Sequence, residues 1–381
     1  MTCKRLLALI ILFMMLFVTV QLRIFALMLN PAAPQAAHAQ STVTLPLAQG
    51  RANFYDCAMQ PLTGTNTEQL ALALPGDFSY ARLYRSLSAE SAAALYNEGL
   101  AGPSLVPVSS LPEEPGIYTY LRPARFFETP IAIHLIGYLD GDGNGAAGME
   151  KSYNDILADG ADKTFVRCTV TASGGLMQGT VPELFAQPGS GNAVQLTLSL
   201  PIQRICEGLA KTRLKTGAVL VLDTKTGEIL GLSSVPEYDP LDVAKSIQQN
   251  DTALLCRALC AYNVGSVFKP IVAAAALESG IDPAEPFECT GEIEVAGHIY
   301  HCANNKAHGS VALTGALGQS CNCYFIELAE RIGAKDLSAM ARKLGFGRAT
   351  MLWDGFAGAA GNLPSEQELM LPGELASFGF G

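Results

Sequence analysis

The sequence predicts an α+β chain in three parts: an N-terminal membrane helix, an α+β module, and a mixed α/β domain that carries the chemistry. Three observations support this. An apolar run fills residues 6–29, short apolar alternations broken by turn residues occupy 41–185, and a strand–turn–strand pattern at 217–233 gives way to helical sequence. The chain has 381 residues, enough for two or three domains, and its 49% apolar content supplies sizeable cores. Its net charge of −10 argues against nucleic-acid binding, which needs a basic surface.

Lys4 and Arg5 precede an apolar run at 6–20, and a second run at 24–29 follows Gln21-Leu22-Arg23. Residues 5–29 together are long enough to cross a bilayer. The basic flank favours a cytoplasmic N-terminus and an exported body. A cleaved signal peptide is the alternative, with Ala37-His38-Ala39 as its small-residue site. The apolar region is long for one, so residues 1–29 read as an uncleaved, single-pass anchor. Residues 30–40 are rich in Ala and Pro and read as a linker.

The next module, 41–190, mixes alternations such as Ile131-Ala-Ile-His-Leu-Ile-Gly137 with turn signals. Within it, Asp140-Gly-Asp-Gly-Asn-Gly145 starts like a calcium loop. Position 12 of that loop would be Lys151 where a bidentate glutamate is needed, so a Gly-rich turn before a helix at 149–157 is the expectation. A second small-residue linker, 187–192, precedes the domain 191–381. That domain opens with a hairpin (217–222 and 228–233) and turns helical, with one helix expected over 266–279, stopped by Ser279-Gly280. Pro270 is tolerated there only because it falls in the first turn.

Ser266 and Lys269 are three positions apart, so one helical turn puts them on the same face. A serine hydroxyl becomes a nucleophile when a base takes its proton, and a desolvated lysine is such a base. Gln319-Ser-Cys-Asn-Cys-Tyr-Phe325 adds a second hydroxyl, Ser320, and an amide, Asn322. The bland reading of Ser266 is a helix cap and of Lys269 a solvated charge. Their pairing, with Ser320 and Asn322 following, points to an activated serine with a second hydroxyl to shuttle a proton and an amide to orient a substrate.

Ten cysteines in an exported chain invite disulfide arithmetic. Cys206, Cys256 and Cys260 fall at helix positions and read as small packed hydrophobes. Cys289 and Cys302 bracket Thr290–His301, a candidate two-stranded excursion, and a bridge between them is left open. His298, His301 and His308 lie nearby, but no pair shows a recognised zinc spacing, so no metal and no other cofactor is expected. Cys321 and Cys323, if extended, point away from Asn322, and neither is the expected nucleophile.

Ser266-Val-Phe-Lys269 followed by Ser320-Cys-Asn322 resembles the S-x-x-K and S-x-N elements of penicillin-binding proteins and serine β-lactamases. Ala193-Val-Gln-Leu-Thr-Leu-Ser-Leu-Pro-Ile-Gln203, the 217–231 hairpin and Ser234-Val-Pro-Glu-Tyr-Asp-Pro240 resemble the opening of a transpeptidase domain. Gly50-Arg51…Tyr55-Asp56…Pro61-Leu62 and Gly148-Met-Glu-Lys-Ser-Tyr153 resemble the non-catalytic module of class B penicillin-binding proteins.

The resemblance implies a dimerisation or pedestal-like module at 41–190 and a penicillin-binding-protein/serine β-lactamase-like α/β transpeptidase domain at 191–381. It implies Ser266 as nucleophile, Lys269 as general base, Ser320 as proton relay and Asn322 as the group orienting the substrate. Peptidoglycan stem peptides ending in D-Ala–D-Ala and β-lactams are the implied ligands, and cell-wall synthesis or division proteins the implied partners. The family's third element, Lys-Thr/Ser-Gly, does not occur after residue 325. The triplets at 215–217 and 225–227 precede Ser266 and belong to the hairpin. The expectation is therefore a C-terminally incomplete domain, inactive by itself, with an unpaired sheet edge and exposed apolar surface. A non-catalytic membrane-anchored scaffold and a β-lactamase or β-lactam sensor are the alternatives.

Overall fold

Alternation decides the first sheet. In the strand Thr42–Gln49, Val43, Leu45 and Leu47 turn inward while Thr44 and Pro46 face out. The computed structural model describes residues 3–29, 41–75, 83, 86–87, 92–93, 102–110, 117–353 and 355–381; the expected linker at 30–40 lies outside them. By internal contacts the chain divides into two units, 1–214 with 219–254, and 215–218 with 255–381.

In the first unit, Arg5–Leu29 is a helix long and apolar enough to cross a membrane. Thr42–Gln49 pairs antiparallel with Lys163–Thr169, Leu45 opposite Val166, and the latter strand pairs with Glu183–Gln187. Asn66–Ala73 is the centre of a second antiparallel sheet, between Ser104–Pro107 and Thr119–Ala124. Leu47, Leu70, Leu72, Val166 and Cys168 from the two sheets form one core.

Two segments that the sequence singled out meet in this unit. Glu150, fully buried, takes Arg51 Nε on Oε2 at 2.8 Å and Arg125 Nε on Oε1 at 2.6 Å. Residues 140–145 form the expected turn: the Asp140 carboxylate accepts from the amides of Asp142 (3.0 Å) and Asn144 (2.9 Å), its own loop. The expected helix at 149–157 is instead two short helices, Gly148–Ser152 and Asn154–Ala158, because Tyr153 leaves helical geometry between them (φ −107°, ψ 20°).

Cys206 is buried on the helix Leu200–Arg213, as expected. The hairpin strands are Gly217–Leu222 and Ile229–Val235. In its turn the Asp223 carboxylate accepts from the amides of Lys225 and Thr226, and Gly227 adopts φ 76°, so the second Lys-Thr-Gly triplet makes the turn. Among the described residues the hairpin pairs with no third strand, and Leu220 and Leu222 are exposed.

The second unit is mostly helical. Lys269–Glu278, Asn322–Ile332, Ala334–Lys343 and Pro372–Phe380 enclose a core of Val272, Ala276, Phe325, Leu328, Ala329 and Leu337. Between them, Glu292–Val295 and His298–His301 form the expected excursion, and Phe287–Cys289 pairs with Gly309–Val311. Cys256 and Cys260 are not helical, contrary to expectation. They flank a single 3₁₀ turn, Arg257–Leu259, that Cys260 ends by turning to extended backbone (φ −86°, ψ 154°).

Candidate active site

Ser266 and Lys269 meet by a different local geometry from the α-helix expected over 266–279. Gly265–Phe268 is a 3₁₀ turn, and the α-helix begins only at Lys269, with Pro270 in its first turn. A 3₁₀ turn eclipses residues i and i+3, aligning the two side chains more closely than an α-helix would. Phe268 anchors the turn in the core, its ring 5.5 Å from that of Phe346 and 4.6 Å from that of Phe378. The result is an exposed serine above a lysine only 1% exposed.

The second hydroxyl and the amide arrive from the entry to Asn322–Ile332. Ser320 sits in left-handed backbone at φ 51°, strained for a residue with a Cβ, and such strain persists only where the surroundings enforce it. The turn presents two oxygens of Ser320 to the lysine, the carbonyl at 3.0 Å and Oγ at 2.9 Å. Ser266 Oγ lies 3.0 Å and Asn322 Oδ1 2.7 Å from the same Nζ. Asn322 Nδ2 donates to the His301 carbonyl at 2.9 Å, which fixes which end of the amide faces the lysine. All four residues singled out in the sequence therefore converge on one nitrogen.

That coordination can accommodate a neutral amine. The Ser320 carbonyl and Asn322 Oδ1 can only accept, so they take two N–H groups. A neutral amine then has one lone pair left, turned toward two hydroxyls that can each donate. Burial pulls the Lys269 pKa below the ordinary lysine value, while Cys302 and Cys321 act in the opposite direction.

Cys321 and Cys323 do not lie in an extended strand. Cys321 caps the helix Asn322–Ile332, its Sγ accepting from the Tyr324 amide at 3.5 Å, and both cysteines are buried. Cys289 and Cys302 are free thiols with sulfurs 3.7 Å apart. Sequence spacing missed one grouping: Cys289, Cys302, His308 and Cys321, with ligand atoms all within 4.8 Å of one another.

Residues 217–381 match the family model described as the penicillin binding protein transpeptidase domain. Stage V sporulation protein D of Bacillus subtilis is 32% identical over 227 residues, 57% of this chain and 34% of the relative. The peptidoglycan D,D-transpeptidase FtsI homolog of Chlorokybus atmophyticus is 30% identical over 359 residues, 81% of this chain and 50% of the relative. A chain from a solved peptidoglycan synthase complex superposes with a TM-score of 0.64 at 23% identity. The match covers 100% of this chain and 74% of that one and speaks for fold alone.

Fold and site together define a penicillin-binding protein transpeptidase domain. Residues 217–381 and the relatives they match resemble the transpeptidase domain of the class B penicillin-binding proteins. The chain spans between a third and a half of the length of these curated relatives.

Proposed function

We propose that this chain carries the acylation centre of a peptidoglycan D,D-transpeptidase, with Ser266 as nucleophile. The observation that carries this is the buried Lys269 Nζ held between Ser266 Oγ, Ser320 Oγ and Asn322 Oδ1. Neutral Lys269 takes the proton of Ser266, and Oγ attacks the carbonyl carbon between the two terminal D-alanines of a stem peptide. The amide C–N bond breaks, Ser320 relays a proton to the departing D-alanine, and an ester remains on Ser266. The amine of a neighbouring stem attacks that ester, closes the cross-link and returns the serine. Asn322 orients the substrate backbone. β-Lactams enter by the same attack and leave slowly.

The residues divide into an anchor at 1–29, a linker at 30–40, a pedestal module at 41–190 and the transpeptidase domain at 191–381. The anchor crosses the membrane once and holds the body outside the cytoplasm. The partners are other cell-wall synthesis or division proteins, in keeping with the synthase complex that supplied the solved neighbour. Residues 326–381 contain no Lys-Thr/Ser-Gly. The family strand bearing that motif contributes an oxyanion amide, and losing one such donor costs about 10²–10³ in rate.

The test is fluorescent-penicillin labelling of native membranes with a Ser266→Ala control. A labelled band that disappears in the variant supports the reading. A band unaffected by the substitution overturns it.

A further inference from the structure

The geometry points to a structural zinc site made by Cys289, Cys302, His308 and Cys321, beside the proposed nucleophile. Four segments converge there. Cys289 ends the strand Phe287–Cys289, His308 precedes Gly309–Val311, Cys302 follows His298–His301, and Cys321 caps Asn322–Ile332. The backbone already fixes three of these positions. The His308 amide donates to the Cys289 carbonyl at 3.2 Å, and the Cys302 amide to the Gly291 carbonyl at 2.9 Å.

Three of the six separations match the edges of a zinc tetrahedron, and all six lie within 4.8 Å. Zinc binds sulfur at about 2.3 Å and imidazole nitrogen at about 2.0 Å, which sets edges of roughly 3.8 Å between sulfurs and roughly 3.5 Å between sulfur and nitrogen. Here Cys289 Sγ lies 3.7 Å from Cys302 Sγ and 3.4 Å from His308 Nδ1, and Cys302 Sγ lies 3.8 Å from Cys321 Sγ.

The donor set selects a soft ion. It has three sulfurs, one imidazole and no carboxylate, which suits zinc and disfavours magnesium or calcium. Three of the four side chains are essentially buried and His308 is half-buried, so the set is closed, as in a structural site rather than one that keeps an open position. Cys323 Sγ lies 3.4 Å from Cys302 Sγ but is not among the four ligand atoms that lie mutually within 4.8 Å. Four sulfurs crowded in an exported protein are also a disulfide hazard, which a bound ion removes by holding the thiolates apart.

The placement gives the ion a consequence. Cys321 lies between Ser320 and Asn322, and Cys302 follows His301, whose carbonyl holds the Asn322 amide. One ion tying Cys302 to Cys321 would therefore fix Ser320 and Asn322, two of the three residues that present oxygens to Lys269. This effect on acylation rests on the function proposed above; the metal site itself does not.

The test starts from the full chain, purified in detergent without chelators, with zinc counted by mass spectrometry. About one zinc per chain is expected, and cobalt exchange should give the thiolate-to-cobalt charge-transfer and tetrahedral ligand-field bands. Cys302→Ser and His308→Ala should each weaken binding by more than the roughly 10–100-fold that losing an outer-shell partner costs. Cys57→Ser, an exposed thiol elsewhere, should bind as the parent does. Because Cys302→Ser alters the core, the half-buried His308 and the parent's cobalt spectrum are the readouts that do not depend on that variant folding.

Zinc below about a tenth per chain with all thiols free, or a native disulfide among these cysteines, overturns the site. Ser266→Ala separates the two readings. Retained zinc with lost penicillin labelling supports both, and labelling that persists sinks the function while leaving the metal site standing.

Discussion

Lys269 Nζ lies 2.7 Å from Asn322 Oδ1, and the other end of that amide is committed to the His301 carbonyl. Asn322 is thus a fixed neutral acceptor for the lysine. Asn322→Asp replaces it with a carboxylate, which favours the ammonium form and leaves the His301 carbonyl without its donor. A raised lysine pKa leaves less free base at any given pH. Acylation by fluorescent penicillin should fall about 10²-fold or more, with its rising limb moved to higher pH. An unchanged stopped-flow rate would remove Lys269 from the base role.

Lys269→Ala should cost about 10²–10⁴ in the same acylation rate, because the proton acceptor for Ser266 is gone. Ser320 Oγ and Asn322 Oδ1, also near Nζ, then remain, and hydroxyls and amides are poor bases. If the variant keeps parental kinetics, another group takes the proton.

The buried Arg51–Glu150–Arg125 cluster gives a stability prediction in the first unit. Glu150→Ala leaves two guanidinium groups facing each other with no carboxylate between them. Burial already pulls the Arg125 pKa down, opposed by Glu150. Removing one member of a buried ion pair costs about 3–5 kcal/mol. Urea melts of the parent and variant measure this, and a shift below about 1 kcal/mol would show that the cluster is solvated.

Much of the site was legible because it is local. Ser266 and Lys269 are one turn apart, Ser320 and Asn322 are two residues apart, and each pair needs only its own segment to be recognised. The apolar run before residue 30, the hairpin and the excursion between Cys289 and Cys302 were legible for the same reason. The Cys289–Cys302–His308–Cys321 grouping was not, since its members are spaced x₁₂, x₅ and x₁₂ apart. Only the pairing of Phe287–Cys289 with Gly309–Val311, and the cap at Cys321, bring them together. The helical start at Asn322 was missed because its cap is a cysteine, whose sulfur does what an oxygen does at an ordinary N-cap. The 3₁₀ turn at Ser266 was missed because i,i+3 spacing is common to both helix types.

Glu207 gives a pH prediction. Burial raises its carboxyl pKa above the usual carboxylate value, against the lowering effect of two hydrogen bonds on Oε1, from the Ala132 amide and Gln203 Nε2, both 2.8 Å. A folded pKa above the unfolded one means that the folded state holds the proton more tightly. The stability this contributes is complete below the unfolded pKa, near 4.5, and is lost as pH rises through the higher folded value. Glu207→Gln keeps an oxygen for both donors and removes the charge. Its Tm should equal or exceed the parent's at neutral pH, and its fall between acidic and neutral pH should be smaller. Parallel Tm profiles would show that Glu207 does not contribute to this pH dependence.

Gly379 tests how closely two helices of the second unit must approach. It is buried on Pro372–Phe380, and a Cβ there would stand 2.6 Å from Ala329 Cβ and 2.8 Å from the Phe325 carbonyl oxygen. Both partners sit on Asn322–Ile332, the helix whose first turn carries Asn322. Backbone cannot swing aside as a long side chain can, so Gly379→Ala must push the helices apart. Overpacking of this kind costs about 1–3 kcal/mol, more than alanine's better helix propensity returns. Because the strain bears on the helix that presents Asn322, acylation by fluorescent penicillin should also slow, although Gly379 lies outside the proposed machinery. A destabilised variant with parental acylation would show that the displacement is absorbed before it reaches the first turn. Equal stability would show that the two helices can separate freely.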